Sequence, residues 1–349
     1  MLFDNIGHPI RANHATTYPS RILVFDTETK PTVGDILTTH HFHIAWSRFM
    51  DCRKDGTIRR DVWKLFHDKH SLCEYIRDRA TSKSSLHLYA HNAFFDLQVI
   101  GFFDTFNRWG WKLDFVYDKG LTFLLVIRKG ESSIKAISTT NFFDYSLKAL
   151  GENIGLPKLD VDFGAVSESD LTKYCHRDVE IASESLLQYI AFNRVHDTGK
   201  FAMTKASQSF SCYRHRFMAK KIFIHGVPFV QELERSAYFG GRTEAYRLGK
   251  ITGGPFVFYD VNSMYPYVMQ ANKYPCLLME YEETPNYDRF LKHLNLGCVI
   301  AEVLIDTEEP VYAKRINNRM CFPIGRFITH LCTGGLRYAV EHHHLTKVL

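Results

Sequence analysis

Three short stretches of this 349-residue chain carry acids where carboxylates could gather on a divalent cation. The first is Phe25-Asp26-Thr27-Glu28-Thr29, directly after the apolar run Ile22-Leu23-Val24-Phe25. Residues two apart in an extended segment point the same way, so Asp26 and Glu28 can share one metal. The second is His91-Asn92-Ala93-Phe94-Phe95-Asp96, which again follows a strand-like stretch. The third is Tyr174-Cys175-His176-Arg177-Asp178, where Tyr174 and Asp178 are helical neighbours four residues apart. Asp178 also falls on an apolar stripe, between Cys175 and Ala182, and a carboxylate there needs a cation or a hydrogen-bonding partner. The four acids Asp26, Glu28, Asp96 and Asp178 match the charge of two divalent ions, Mg²⁺ or Mn²⁺. Two such ions roughly 3.5–4 Å apart would activate a water and stabilise the leaving oxygen in phosphodiester hydrolysis. The Tyr174 hydroxyl could orient that water. Each stretch is weak alone: Ile305-Asp306-Thr307-Glu308 matches the first by accident, and Asp96 could be an ordinary acid at a helix start.

The elements that must hold these residues can be read from the spacing of apolar side chains. Ile22 to Phe25 reads as a buried strand ending at the first acids. Leu86, Leu88 and Ala90 alternate with His87, Tyr89 and His91 as a second strand. Leu121 to Ile127 and Ile134 to Ile137 read as two more, joined through Arg128-Lys129-Gly130 as a hairpin. From Ser167, which forms a capping pair with Asp170, a helical stripe runs through Leu171, Cys175, Ala182, Leu186 and Tyr189. Strands followed by a helix give an α/β domain over 1–195. Six cations and no acid then fall between Lys200 and Lys221, interleaved with Phe201, Phe210, Tyr213 and Phe217. A solvated helix face and a DNA-tracking linker over 196–230 both remain open there. A second domain over 231–349 is expected to contain an apolar strand, Phe256-Val257-Phe258-Tyr259, ending in Asp260.

Composition narrows the classes. Hydrophobic residues at 45% and charged residues at 23% exclude a disordered or collagen-like chain. No apolar run approaches the ~20 residues of a membrane span, and Asp4 and Arg11 interrupt any secretory signal. The expectation is a soluble, intracellular protein with no membrane partner. A net charge of +5 permits a polyanionic partner without proving one. Eight scattered cysteines with no C-x-x-C pair argue against a zinc knuckle or a disulfide framework. The clusters His342-His343-His344 and His40-His41 read as solvated surface.

In order and type, the acids with Tyr174 resemble the three Exo motifs of DEDDy 3′–5′ exonucleases. More narrowly, the set is similar to the proofreading domain of protein-primed, organellar and viral type, family B DNA polymerases. The resemblance implies a ribonuclease-H-like fold, a mixed sheet with flanking helices, followed by the first part of a polymerase palm. It implies that Thr29, His91, Asn92 and Phe95 contact the 3′ end of a DNA strand. Ser146-Leu147-Lys148-Ala149-Leu150 matches the family's single-stranded-DNA-binding motif, although Ser146 and Leu147 also read as a helix cap and a core residue. Lys158-Leu159-Asp160-Val161 matches a motif whose lysine assists hydrolysis. In the second domain, Tyr259-Asp260-Val261-Asn262-Ser263-Met264-Tyr265-Pro266 is similar to polymerase motif A, with Met264 in place of leucine. The resemblance makes Asp260 a metal ligand and Tyr265 the residue that stacks on the nucleotide sugar. Tyr238-Phe239-Gly240-Gly241 matches the Y-x-G-G motif, whose glycines let the backbone approach the template, with Arg242 alongside.

Nothing after Pro266 resembles motif B or the D-T-D motif C, so an incomplete palm from a split or truncated polymerase is expected. The implied partners are DNA with single-stranded 3′ ends and primer–template, dNTP if the palm is completed, a terminal-protein primer and a second polymerase polypeptide. The implied setting is viral replication in a host cell rather than a mitochondrial plasmid. A free-standing DEDDy nuclease and a non-catalytic single-stranded-DNA-binding fragment are the alternatives. Motif A and Y-x-G-G speak against the former, and the intact acid set against the latter.

Overall fold

The computed structural model describes residues 7–33 and 38–349, so Asp4 lies outside the described residues. It begins with a short strand, β1 (Gly7–Ile10). Two units follow from the contacts: Ala12–Ala219, and Met1–Arg11 together with Lys220–Leu349.

The Ala12–Ala219 unit is built on seven strands: β2 (Arg21–Val33), β3 (Thr38–Cys52), β4 (Ile58–Phe66), β5 (Leu86–Ala90), β6 (Lys112–Lys119), β7 (Thr122–Lys129) and β8 (Ser132–Ser138). Their order is β4-β3-β2-β5-β8-β7-β6. The central three, β2, β5 and β8, run parallel, and the outer pairs are antiparallel. Helices α1 (Lys69–Arg79), α2 (Ala93–Val99) and α3 (Phe102–Arg108) cover one face, and α4 (Leu147–Asn153) and α5 (Glu168–Val195) the other. Strand alternation divides β2 between these cores: Leu23 and Phe25 pack under α1–α3, Ile22 and Val24 under α4 and α5. The expected mixed sheet with flanking helices is therefore present. The 167/170 cap forms as read, with Asp170 N donating to Ser167 Oγ at 3.1 Å.

Two expectations about boundaries change. Strand β2 does not end at the acids; Asp26 and Glu28 lie inside it, paired with Trp46 and Ile44 of β3. Nor is 196–230 a linker. Phe201 is buried against Phe142 and Tyr189. Helix α6 (Lys205–Cys212) buries Gln208, whose side chain accepts from Ala202 N at 2.8 Å. The first domain thus runs to Ala219 rather than 195, because this segment supplies core surface, while residues 220–230 belong to the other unit.

In that other unit, β1 pairs antiparallel with β9 (Ile222–His225). There follow α7 (Pro228–Ser236), α8 (Met264–Ala271) and α9 (Tyr287–Leu296). Strands β10 (Ile300–Thr307), β11 (Lys314–Ile316), β12 (Arg319–Cys321) and β13 (Gly325–Cys332), helix α10 (Thr333–Glu341) and strand β14 (Leu345–Val348) complete it. A three-stranded sheet, β13-β10-β14, packs Val303 and Ile305 against Leu294 and Leu336. The expected strand at Phe256–Tyr259 is not formed. No strand among the described residues lies beside it to take its backbone hydrogen bonds, and its side chains are exposed. Among the described residues, no helix is long and apolar enough to cross a membrane.

Candidate active site

The Ala12–Ala219 unit gathers the sequence-predicted acids around β2. Asp26 and Glu28 continue the face of Ile22 and Val24 that α5 covers, and one ligand atom of each lies within 4.8 Å of the other. Thr27, between them, points to the opposite face and donates to Asp96 Oδ1 at 2.6 Å. Asp96 is there because α2 starts directly after β5, which brings its first turn beside β2. Asp178 arrives from α5, which packs on β2 and β3. One Asp178 oxygen accepts from Lys158 Nζ; the other, Oδ1, is buried and finds no hydrogen-bond partner among the described residues. Lys158 also hydrogen-bonds to Tyr174 and sits 4.5 Å from the centre of its ring, so one cation ties the tyrosine to the acid.

The electrostatics follow from crowding acids in a buried place. Burial, then the charges of Asp96, Asp178 and Glu28, raise the Asp26 carboxyl far above the usual range. Burial and the charge of Asp178 push Glu28 up to about 7. Asp96 is pushed up to about 7 by burial, against the opposing hydrogen bonds from Thr27. Asp178 is also raised by burial, despite Lys158. Burial works against the Lys158 charge, but its bond to Asp178 outweighs that and holds the amine above its ordinary range. Buried carboxylates that repel one another are what a divalent cation relieves. With the orphaned Asp178 Oδ1, the oxygen donors fit Mg²⁺ or Mn²⁺.

The other predicted residues take varied places in this unit. Thr29 Oγ1 lies 3.0 Å from His40 Nδ1, and the His40 ring meets Phe95 edge-on. Asn92 is the exposed residue before α2 and makes no side-chain cap bond. His91 Nδ1 pairs with Thr139 Oγ1 at 2.9 Å. Ser146 caps α4, accepting from Ala149 N, and Leu147 is in the core. Two contributors were not singled out from sequence. Thr27 could have been found from strand alternation, which sends it to the face opposite its acidic neighbours. Cys175 was read as part of an apolar stripe, but its Sγ lies beside Asp26.

The second-unit motifs are less enclosed. Asp260 and Tyr265 are exposed. Ser263, at the start of α8, takes a left-handed φ of 56°. Tyr238 is exposed, and its carbonyl accepts from the Arg315 guanidinium. Gly240 has open space around it, whereas a Cβ at Gly241 would lie 2.5 Å from the Tyr265 hydroxyl oxygen. The two motifs therefore touch at that point. Arg242 is held by Glu244, by the Pro310 carbonyl at 2.7 Å and over the Phe322 ring at 4.0 Å. Asp306 and Glu308 join no metal-ligating cluster among the described residues.

Comparison with known proteins agrees with this layout. The chain is similar in fold to phi29 DNA polymerase complexed with primer-template DNA and incoming nucleotides, at 15% identity and a TM-score of 0.61. That match covers 95% of this chain and 59% of the phi29 chain. The same polymerase with primer-template DNA alone gives 16% identity and a TM-score of 0.61 over 95% and 60% of the two chains. With single-stranded DNA the values are 15% and 0.58 over 95% and 58%. The chain thus spans about three fifths of the length of these polymerases. No curated protein matches it. The family model for DNA polymerase type B, organellar and viral, matches residues 162–349, more than half of the sequence, and the chain belongs to that family.

Proposed function

We propose that the Ala12–Ala219 unit removes nucleotides from the 3′ end of a DNA strand, as the proofreading activity of a protein-primed polymerase. The observation that carries this reading is the convergence of Asp26, Glu28, Asp96 and Asp178 on β2, with Asp178 Oδ1 unsatisfied and Glu28 and Asp96 both pushed up to about 7. Asp26, Glu28, Asp96 and Asp178 would hold two Mg²⁺ or Mn²⁺ ions, which when bound supply water activation and leaving-group stabilisation. Tyr174 aims the attacking water through its hydroxyl, and Lys158 fixes that hydroxyl relative to Asp178. Thr29, His91, Asn92 and Phe95 bind the strand's 3′ end, and Ser146 and Leu147 the nucleotides behind it. The exposed Phe210, Tyr213 and Phe217, with the cations around them, extend this path by stacking and phosphate contacts.

The second unit serves synthesis. Tyr238, Gly240, Gly241 and Arg242 face the template, Asp260 holds a metal on the incoming dNTP, and Tyr265 rejects a 2′-hydroxyl. Synthesis at that site would start from a terminal protein as primer, in viral replication inside a host cell. The test is incubation of the purified chain with labelled primer–template and Mg²⁺, with and without dNTPs. Shortening from the 3′ end without dNTPs supports the reading, and an unchanged labelled strand refutes it.

A further inference from the structure

From sequence the pair His40-His41 reads as solvated surface, but a β-bulge gives the two histidines different settings. Glu28 of β2 lies opposite Ile44 of β3, whereas Thr29 lies opposite Phe42, so β3 fits one extra residue, His43, between those pairs. A slip of one residue turns every later side chain to the other face of the sheet. Ile44 accordingly packs with Leu171 and Cys175 of α5, while Phe42 packs on the core under α1–α3. The same slip puts His40, and not His41, on the face that carries Thr29 and α2. There His40 Nδ1 lies 3.0 Å from Thr29 Oγ1, and its ring meets Phe95 at 5.6 Å between centroids and 81° between planes. His40 is exposed, and its Nε2 has no hydrogen-bond partner among the described residues.

We propose that His40 is a further binding residue for the 3′-terminal nucleotide of a DNA strand, in a pocket that β3, β2 and α2 build from His40, Thr29 and Phe95. The identity of the strand rests on the exonuclease reading. A neutral imidazole that accepts the Thr29 hydroxyl at Nδ1 carries its proton on Nε2. That N–H is a donor without a protein partner on an exposed side chain, and a strand end offers sugar and phosphate oxygens to take it. The bond to Thr29 and the edge contact with Phe95 hold the ring in place, so little side-chain freedom is left to lose on binding. Among the described residues His40 forms no hydrogen bond or ion pair with the four acids, so its part is to hold the strand and not to assist the hydrolytic step.

The test uses the full chain and two fluorescent single strands of one DNA sequence, one blocked by biotin–streptavidin at its 5′ end and one at its 3′ end. Only the first offers a free 3′ end, and anisotropy in EDTA reads binding without cutting. The unaltered chain should bind the free 3′ end more tightly than the blocked one. His40→Ala should weaken binding of the free end about tenfold, the value of one good hydrogen bond. Its affinity for the blocked strand should not change, which also shows the variant to be folded. His40→Gln, which keeps an N–H donor, should regain part of the loss, and His41→Ala should change nothing. With Mg²⁺, single-turnover hydrolysis by His40→Ala should need about ten times more DNA for half-saturation, with the saturating rate within about threefold. The proposal is overturned if the unaltered chain does not distinguish the two strands, if His40→Ala binds the free end as before or loses both strands equally, or if His40→Gln is as weak as His40→Ala. Equal loss in His41→Ala, or a fall in saturating rate at unchanged half-saturation, overturns it too. An end preference that needs His40 in a chain that cuts nothing would sink the exonuclease reading and leave the pocket standing. Cutting from the 3′ end with half-saturation unchanged in His40→Ala would do the reverse.

Discussion

Asp26 and Asp260 follow the same kind of sequence, four apolar residues and then an acid, yet the two runs end in different environments. Ile22 to Phe25 are 0–1% exposed, in a strand paired on both sides and covered on both faces. Phe258 and Tyr259 are 98% and 92% exposed, in a segment with no strand beside it among the described residues. The difference teaches that an acid gains unusual chemistry from its scaffold and not from its motif. Asp26 is crowded with three other carboxylates in a place water reaches poorly, and its proton is held far above the usual range. Crowding of this kind is what a divalent cation would relieve.

The largest expected effect breaks the comparison at its chemical end. Replacing Asp26 and Glu28 together by Ala should lower 3′ hydrolysis of single-stranded DNA by several orders of magnitude. Asp260→Ala should leave that rate where it was. Single-turnover rates decide, and an equal loss from both would mean the two acids share one site. Next in size, Tyr174→Phe should slow hydrolysis by no more than roughly 10²–10⁴-fold, and by less than Asp178→Ala, because a water-orienting hydroxyl contributes less than a metal ligand. The opposite ranking would move Tyr174 into the metal shell or into folding.

The remaining predictions concern stability. Phe25→Ala should cost about 3–5 kcal/mol, as for a large aromatic removed from a packed core. Phe258→Ala should stay within about 0.5 kcal/mol. Denaturant unfolding compares them, and a similar loss at both would show that Phe258 is covered in solution. The acids give a pH dependence of known sign. Glu28 and Asp96 are pushed up to about 7 in the fold, so the folded state keeps protons that the unfolded chain has lost. The metal-free chain should therefore lose stability as pH rises from about 5 through 7, and Mg²⁺ should restore it above that range. A melting temperature that rises over the same interval without metal would contradict the crowding. Smallest of all, Ser146→Ala should cost about 1 kcal/mol as a lost helix cap. If affinity for single-stranded DNA also falls in the folded variant, Ser146 has the second role its motif implies.

Much of the site was legible because it depends on local patterns. The helix from Ser167 follows from a cap and a stripe of apolar residues, and both act within a few turns of chain. The direction of Asp26 and Glu28 follows from strand alternation alone. What escaped reading depends on distant partners. Strand β3 is rich in polar residues, including His40, His41 and His43, and becomes a strand because β2 and β4 flank it. Phe256–Tyr259 errs in the opposite sense, since its side chains favour a strand that has no neighbour among the described residues to complete it. The cations of 200–221 suggested a linker because charge is visible in sequence, while the burial of Phe201 is not. Cys175 escaped for a related reason: a thiol on an apolar stripe looks like filling until the opposite strand is seen to carry a carboxylate.

The pairing of β1 with β9 has a consequence for the order of events in folding. Gly7 lies opposite His225 and Ile10 opposite Ile222, so this short clasp closes a loop that contains the whole Ala12–Ala219 unit. Joining the ends of so long an unstructured loop would cost on the order of 5 kcal/mol in chain entropy, more than four residue pairs can offset. The unit itself removes that penalty. Asn13 N donates to the Arg214 carbonyl and Asn13 O accepts from His215, so its two ends are already side by side once it has folded. The clasp should then form last, as a latch on a finished domain, and hydrogen exchange should find its amides among the first to open.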